Sequence, residues 1–479
     1  MKSGRRMVRA NYNSSRGMSF WPLIPALALF AGCAHFKSQP ISPASTAARF
    51  EARSLSNEDL RAFLQTNHVV TEWPCRVWDL NALTFVAFFY QPTLGEARAQ
   101  FASTRAAEIT AGERPNPSVI ASPTYDMSSS PPWIPGVSFD IPVETAGKRG
   151  KRISEAKFNS EAAKWNLVSA EWQARSGIRV ALVNLYAARE NESLLEHQQT
   201  AQSNVVRLLQ GQFEAGVVSS FEVTQARIAE ETTQLSLQDA RGQMNQARVR
   251  LAGVLGLPAR ALDGIEFDFK AWEELPAALT EPEVRHNAVL NRADIRAALA
   301  QYAASQAALQ LEIAKQYPDV HLNPGYELDQ TDNKWTLGLT VDLPVLNQNQ
   351  GGIAEAKAKR AEAAAHFLTV QANAISEIDS ALAGYDAALQ KSTLAKTLSA
   401  DLQRQLESVR GQARLGEADA LTLANAEVTF YTGAQSQLDA LAKAQTALGE
   451  LEDAVQSPLT LSAEAIRAAA KDHLPSNQK

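Results

Sequence analysis

Asp126, Asp140, Glu327, Asp329 and Asp342 stand at alternate positions among apolar neighbours, in company with His321, Ser138 and Thr340. Carboxylates ranged along one wet face of a sheet set up a negative field that concentrates cations. Hydrolytic or redox chemistry would need a nucleophile, a base or metal ligands beside them. The seven histidines (His35, His68, His197, His286, His321, His366, His473) never fall at metal-ligand spacing. No Gly-x-Ser-x-Gly elbow, phosphate-cradling Gly-rich lysine loop or His-Glu-x-x-His stretch occurs. The chain therefore reads as a non-enzyme, without catalytic residues, cofactor or resident metal.

The elements that must carry these carboxylates are strands. In Pro117–Met127 the apolar positions are Val119, Ala121, Pro123, Tyr125 and Met127, and in Trp133–Val143 they are Trp133, Val137, Phe139, Ile141 and Val143. Val320, Leu322, Tyr326 and Leu328 repeat the alternation, followed by Trp335, Leu337, Leu339, Val341, Leu343 and Val345. Such alternation predicts two β-hairpins, each with one dry and one wet face. A small periplasmic sheet would satisfy it. So would a membrane-crossing sheet, because about 9–11 residues span a bilayer as a tilted strand. Trp133, Trp335, Tyr125 and Tyr326 lie where aromatic girdles occur. Strands in hydrocarbon cannot keep open edges, and the smallest single-chain barrels have about eight of them. The membrane reading therefore requires several chains, with a trimer as the smallest open solution.

Between the hairpins the sequence turns helical and repeats itself. Gly211, Gln212, Gly216 and Ala226 recur at one constant offset as Gly411, Gln412, Gly416 and Ala426. These stretches interrupt long proline-free runs, and the duplication predicts two related units. The outbound helices, from 148 and from 351, are each about 95 Å long at ~1.5 Å per residue. The return helix from about 219 to 255, laid end to end with the one at about 292–316, nearly matches that length. Ala354, Ala358, Ala361 and Ala365 follow a coiled-coil seam. The basic run Lys148, Arg149, Lys151 and Arg152 is read either as a lipid-headgroup contact or as a solvated helix start.

The chain has 479 residues, 45% of them hydrophobic, and a formal net charge of -6, so no nucleic-acid footprint is expected. Lys2, Arg5, Arg6, Arg9 and Arg16 precede an apolar run from Phe20 to Ala31, the layout of a secretory signal. Leu29-Phe30-Ala31-Gly32-Cys33 resembles a bacterial lipobox, which makes Cys33 the lipidation candidate. The second cysteine, Cys75, reads as a buried apolar thiol.

Taken together, residues 75–458 resemble the TolC-like outer-membrane efflux channel family. The carrying motifs are Gly136-Val-Ser-Phe-Asp-Ile-Pro142-Val and Gly338-Leu-Thr-Val-Asp-Leu-Pro344-Val, together with Gly147-Lys-Arg-Gly150. Phe213-Glu-Ala-Gly216-x-x-Ser219-x-x-Glu222-Val223-x-x-Ala226 and the closing Leu251-Ala-Gly-Val-Leu-Gly256-Leu-Pro258 complete them. The resemblance implies a mainly α fold with a small β part. Duplicated helical hairpins would form a periplasmic tunnel, and each chain would give four strands to a trimeric twelve-stranded barrel. It implies a homotrimer in contact with outer-membrane lipid, working with a periplasmic adaptor and an inner-membrane pump as an efflux exit duct. An outlet for type I protein secretion and a non-pore lipid-anchored scaffold remain alternatives. The glycine reversals become periplasmic tips, with Gly216, Ser219, Glu222, Val223, Gly416, Asp419 and Thr422 as docking candidates. Glu417 and Asp419, tripled by symmetry, become a candidate acidic ring at the aperture.

The expected organisation follows from these readings. Residues 1–33 are the signal segment with its lipobox cysteine, and 34–78 a linker with an N-terminal equatorial segment. The first repeat is 79–256, with hairpin 117–143 and helical hairpin 148–255, and the connector is 257–290. The second repeat is 291–458, with hairpin 318–345 and helical hairpin 351–455, followed by the tail 459–479.

Overall fold

The structure, a computed structural model, describes residues 36–70, 72–128, 130–276 and 288–459. The signal segment with Cys33, part of the connector and nearly all of the tail lie outside these residues. The described residues fall into two units, 36–52 and 53–459. In the first, helix α1 (Pro43–Glu51) occupies part of the expected linker. Pro43 opens it, since proline loses no hydrogen bond in a first helical turn.

The second unit starts with α2 (Glu58–Thr66), capped by Asn57, whose side chain accepts from the Asp59 and Leu60 N–H groups. Strand β1 (Val77–Trp78) and α3 (Leu80–Tyr90, capped by Asp79) lead to α4 (Pro92–Gly112). The first hairpin is broken in both arms: β2 (Ser118–Ala121) and β3 (Thr124–Tyr125), then β4 (Trp133–Ile134) and β5 (Gly136–Val143). The breaks fall at Pro123 and Pro135, which have no N–H for a ladder. Helices α5 (Lys148–Glu214) and α6 (Ser220–Leu255) follow, then β6 (Glu266–Phe267), parallel to β1.

The second unit of the duplication runs α7 (Ala293–Ala314), β7 (Val320–Asp329), β8 (Asp332–Val341), α8 (Gln350–Leu415) and α9 (Ala420–Val455). Pro324 leaves β7 unbroken. Its ladder to β8 continues through the Pro324–Leu337 pair, but the β5–β7 ladder skips from Gly325 to Leu322. Strand β8 stops at Val341, so the expected extension to Val345 is absent.

Helices α5 and α8 run the full height, 67 and 66 residues, or about 100 Å at ~1.5 Å per residue. Away from the strands the packing order is α6–α5–α9–α8, and beside the strands it is α4–α5–α7–α8. The stacking differs from the expected pairing of 219–255 with 292–316. The end of α6 meets the start of α4: Arg53 donates to both the Tyr90 carbonyl (3.0 Å) and the Gly256 carbonyl (2.7 Å). The end of α9 meets the start of α7: Arg292 donates to the Ala454 carbonyl (2.8 Å), and the Ala293 N–H to the Gln456 side chain (2.7 Å). Each joint sets the carbonyl end of one helix near the amide end of another, a favourable dipole alignment.

Two apolar cores lie at these joints and obey the same repeat. Ile178, Leu182, Ala247 and Leu251 are buried in the first, and their equivalents Ile378, Leu382, Ala447 and Leu451 in the second. The first core is larger, because α2, α3, Trp78 and Trp272 pack onto it. Cys75 packs against it only partly buried, and that burial pushes its thiol pKa up.

The basic run is more than a solvated helix start. Lys148 is buried, its Nζ 2.7 Å from the Tyr317 carbonyl and 2.8 Å from Asp319 Oδ1. Arg149 donates to the Gly112 carbonyl at 2.6 Å, Lys151 to Gln310 at 2.8 Å, and Arg152 grips Glu144 with both terminal nitrogens. Three of the four cations thus reach the carbonyl ends of α4 and α7 or the acids beside the strands. Helix C-termini attract positive charge, and these partners arrive from distant segments.

Candidate functional site

The ladders put β2, β5, β7 and β8 side by side in that order, all antiparallel. Registered pairs share a face, so the pairings sort the residues. One face carries Ser138, Asp140, His321, Asn323, Glu327 and Asp329; the other carries Val137, Phe139, Ile141, Leu322, Tyr326 and Trp335. The apolar face is open: Val119 is 64% exposed, Phe139 44%, Trp335 80% and Leu337 79%. Tyr125 stacks edge-on against Trp133, and Tyr326 packs on Trp335, with ring centroids 4.9 Å apart in both pairs.

The carboxylates are not equivalent. Asp140 accepts from Asn323 at 3.1 Å and lies 2.9 Å from His321 Nδ1, while Thr340 donates to Asn323 at 3.0 Å. Asp329 pairs with Lys334 at 2.5 Å, and Lys334 stands opposite Glu327 in the ladder. The alternation pattern overlooked this cation. Asp126 belongs to the hairpin turn, where it accepts from the Ser128 N–H (2.9 Å) and hydroxyl (2.6 Å). Asp342 lies just past the end of β8. Asp140, Glu327 and Asp329 are thus the members of the expected set that sit on the paired polar face. Among the described residues, no three His, Cys, Asp or Glu side chains come together as a metal would require.

The two glycine reversals lie at the same end of the helices, joined by a cluster of Val205, Ala226 and Ala424. Their backbones match. The Gly216 and Val217 N–H groups donate to the Phe213 and Gln212 carbonyls, and those of Gly416 and Glu417 to Ala413 and Gln412. This closure needs a left-handed residue, supplied by Gly216 (φ 73°) and Gly416 (φ 79°). The reversal itself is shorter than the repeated motif, because α5 runs through Gly211 to Glu214.

The capping explains the sequence difference between the reversals. Glu222 accepts from the Ser219 N–H at 2.7 Å and Ser219 caps in return, a complete capping box. In the second reversal Asp419 caps alone, accepting from the Thr422 N–H at 2.7 Å. An aspartate cap needs no returning glutamate, so Thr422 can replace the acid. Hydrogen bonds from Thr422, side chain and backbone, hold the exposed Asp419 carboxyl below its usual range. Val223 is buried at 6% exposure and packs inward, whereas Phe213, Val217 and Phe221 are exposed. The docking candidates named from the sequence left out these three apolar side chains, although Val217 and Phe221 flank the cap. Glu417 is exposed.

Ser219→Ala is expected to cost about 1 kcal/mol of local helix stability, read as faster amide exchange in the first turn of α6 alone. For Asp419 the folded pKa is depressed. Its cap is therefore fully present above the ordinary aspartate value and lost as pH falls through the lower folded value. Exchange at the start of α9 should rise only in that acidic window, and Asp419→Ala should abolish the dependence.

The family model of the outer membrane efflux proteins matches residues 90–257 and 284–455, covering both units of the duplication. The chain belongs to the outer membrane efflux protein family. It is similar to the cobalt-zinc-cadmium resistance protein CzcC of Cupriavidus metallidurans, at 24% identity over 216 residues. That match takes in 45% of this chain and about half (51%) of the relative's own length. It is 22% identical over 373 residues to the probable outer membrane lipoprotein SilC of Salmonella typhimurium, 72% of this chain and 77% of that one. The open-state MtrE channel of Neisseria gonorrhoeae has the same fold, with a TM-score of 0.63, 18% identity, and coverage of 79% of this chain and 89% of that one. The family membership places this chain in the outer membrane. Among the described residues no helix is long and apolar enough to cross a membrane.

Proposed function

We propose that this efflux-family protein is the passive exit duct of a tripartite efflux system, assembled as a homotrimer whose sheets close into one barrel. The carrying observation is the sheet itself, apolar and exposed on one face, polar on the other, with β2 and β8 as open edges. In hydrocarbon each unpaired backbone group costs several kcal/mol, so the edges must find strands of other copies. The helices support the same closure. On the edge helix α6, Ile228 (50% exposed), Leu235 (69%) and Val249 (58%) fall at heptad multiples, and α8 exposes Leu394 (72%) and Leu398 (50%). Joining α6 of one copy to α8 of the next is a head-to-tail contact, which generates a ring.

The glycine reversals are the surface we assign to a periplasmic adaptor, with an inner-membrane pump supplying the cargo. Gly216, Ser219, Glu222, Gly416, Asp419 and Thr422 build that surface, and Phe213, Val217 and Phe221 give it apolar contact area. Glu417 remains the candidate for an acidic ring, since the Asp419 carboxylate is already engaged in its cap. Metal ions and small molecules are the proposed cargo. The test is the mass of the detergent-extracted full-length protein and its conductance in a planar bilayer. A trimer that conducts is expected; a non-conducting protein released by removal of its lipid would overturn the duct in favour of a scaffold.

The polar face would line the duct. Asp140, Glu327 and Asp329 outnumber Lys334 there, so cation preference is expected, and Lys334→Gln should increase it. Single-channel reversal potentials measure this, and an anion-selective wild type would reject it.

A further inference from the structure

The two ring nitrogens of His321, on the polar face of the sheet, stand in different surroundings. Nδ1 lies 2.9 Å from Asp140 Oδ1. A carboxylate can only accept, so Nδ1 carries the proton and the neutral ring keeps its lone pair on Nε2. Among the described residues no group bonds to Nε2, and the side chain is 36% exposed.

Three strands fix this arrangement. Asp140 comes from β5, His321 and Asn323 from β7, and Thr340 from β8. The Thr340 hydroxyl donates to Asn323 Oδ1 at 3.0 Å, which turns the Asn323 amide so that its nitrogen donates to Asp140 Oδ1 at 3.1 Å. The oxygen that receives the ring proton is thus itself anchored. The nearby acid Asp319 does not compete for the ring, because it accepts the Thr145 N–H at 2.9 Å and pairs with Lys148 at 2.8 Å. Nor does the strand geometry demand a histidine here. Pro117, Val119 and Pro123 line up with Pro318, Val320 and Pro324, so Ile120 stands in the first unit where the second has His321.

An imidazole with a carboxylate on one nitrogen and an open lone pair on the other is prepared to bind metal. The carboxylate fixes the tautomer and raises the basicity of the ligating nitrogen. Such a nitrogen suits zinc, copper or nickel, whereas magnesium and calcium prefer oxygen. Resting on the duct proposed above, we infer that His321 Nε2 is a transit ligand for divalent transition-metal ions, with Asp140 as its positioning residue. One nitrogen per chain does not build a resident centre, in keeping with the lack of a three-ligand cluster among the described residues. A passage needs that weakness, since an ion must bind well enough to enter and loosely enough to leave. Glu327 and Asp329 attract any cation by charge; His321 adds a preference by ligand chemistry. Its place beside Val320, the first residue of β7, puts it at the helical end of the sheet, where cargo from the helices would arrive.

Diethyl pyrocarbonate, which acylates an imidazole nitrogen holding a free lone pair, reads the site on detergent-extracted full-length protein without any conduction. Zinc should protect His321, located by peptide mass, and magnesium at the same concentration should not. Asp140→Asn keeps the ring but loses its anchor, and should raise the zinc concentration for half-protection about 10–100-fold. Glu327→Gln removes the same charge from the same face and should leave that concentration unchanged. No zinc protection at His321, equal protection by magnesium, or equal shifts in the two variants overturns the site. In planar bilayers zinc should reduce the wild-type current more than magnesium does, and His321→Gln should remove the difference. Zinc sensitivity that survives in His321→Gln overturns the transit role. A wild type that does not conduct while zinc still protects His321 overturns the duct, and the transit role with it, but upholds the ligand assignment.

Discussion

Replacing Glu452 by Gln is expected to destabilise the helical part by about 3–5 kcal/mol, the usual cost of stranding a buried charge. Glu452 is 1% exposed and Arg179 4%. The Glu452 carboxylate lies 3.0 Å from an Arg175 nitrogen and 3.6 Å from one of Arg179, and accepts the Leu459 N–H at 3.0 Å. Arg179 also donates to Gln445, and its ring neighbour is Trp272 at 5.0 Å. Burial already pulls the Arg179 pKa down, and the Glu452 charge opposes that pull. Removing the charge leaves the guanidinium dry with only the weaker field of Asp453 to offset its lost water, so α9 should loosen from α5. Denaturant unfolding of the full-length protein measures the loss. The double variant Arg179→Met, Glu452→Leu should recover part of it, because the pair is held by desolvation as much as by attraction. Neighbouring Asp453 behaves differently. Burial pushes its carboxyl up, opposed by hydrogen bonds from Ser176 and Trp172. Its contribution is present below the ordinary aspartate range and lost as pH rises through the folded value, so Asp453→Asn should remove that pH dependence.

Gly256→Ala is expected to be the most damaging of the glycine substitutions. Gly256 ends α6 with φ at 72°, and an added Cβ would stand 2.8 Å from the Tyr90 carbonyl oxygen and 3.2 Å from Gln91 Cα. The left-handed backbone alone costs an alanine about 1–2 kcal/mol, and overpacking against backbone adds about 1–3 kcal/mol. The stacking of α4 on α6 depends on this approach, because Arg53 bridges the same two carbonyls. Gly216 shares the left-handed conformation but faces open space. Gly216→Ala should therefore cost only the backbone part, about 1–2 kcal/mol. Thermal unfolding of the two variants side by side checks the order, and equal losses would contradict the close packing at the joint.

The repeat was the most legible feature of the chain. It located both reversals and both hairpins, and it extends unread to the buried core, where Ile178 and Ile378 or Leu251 and Leu451 are equivalents. The sequence marked Ser219, Glu222, Asp419 and Thr422 as residues of the reversals, and the structure adds that Ser219 and Asp419 cap the helices that follow. Asp126 was placed with the wet face by its alternation, although Pro123 breaks the strand before it. Lys334 escaped notice because the alternation was read only from Trp335 onward, whereas the strand begins at Asp332.

Periodicity and duplication are local or self-referential properties, so the amino-acid order alone determined the long helices, the two-faced strands and the paired reversals. Only the tertiary structure decided which helices stack end to end and what the cations of residues 148–152 bind. Lys148 finds Asp319, Arg149 the Gly112 carbonyl and Arg179 Glu452, all across long stretches of chain. A charge has no period that announces its partner. Its partner is whatever group the fold brings near enough to offset the water it has lost.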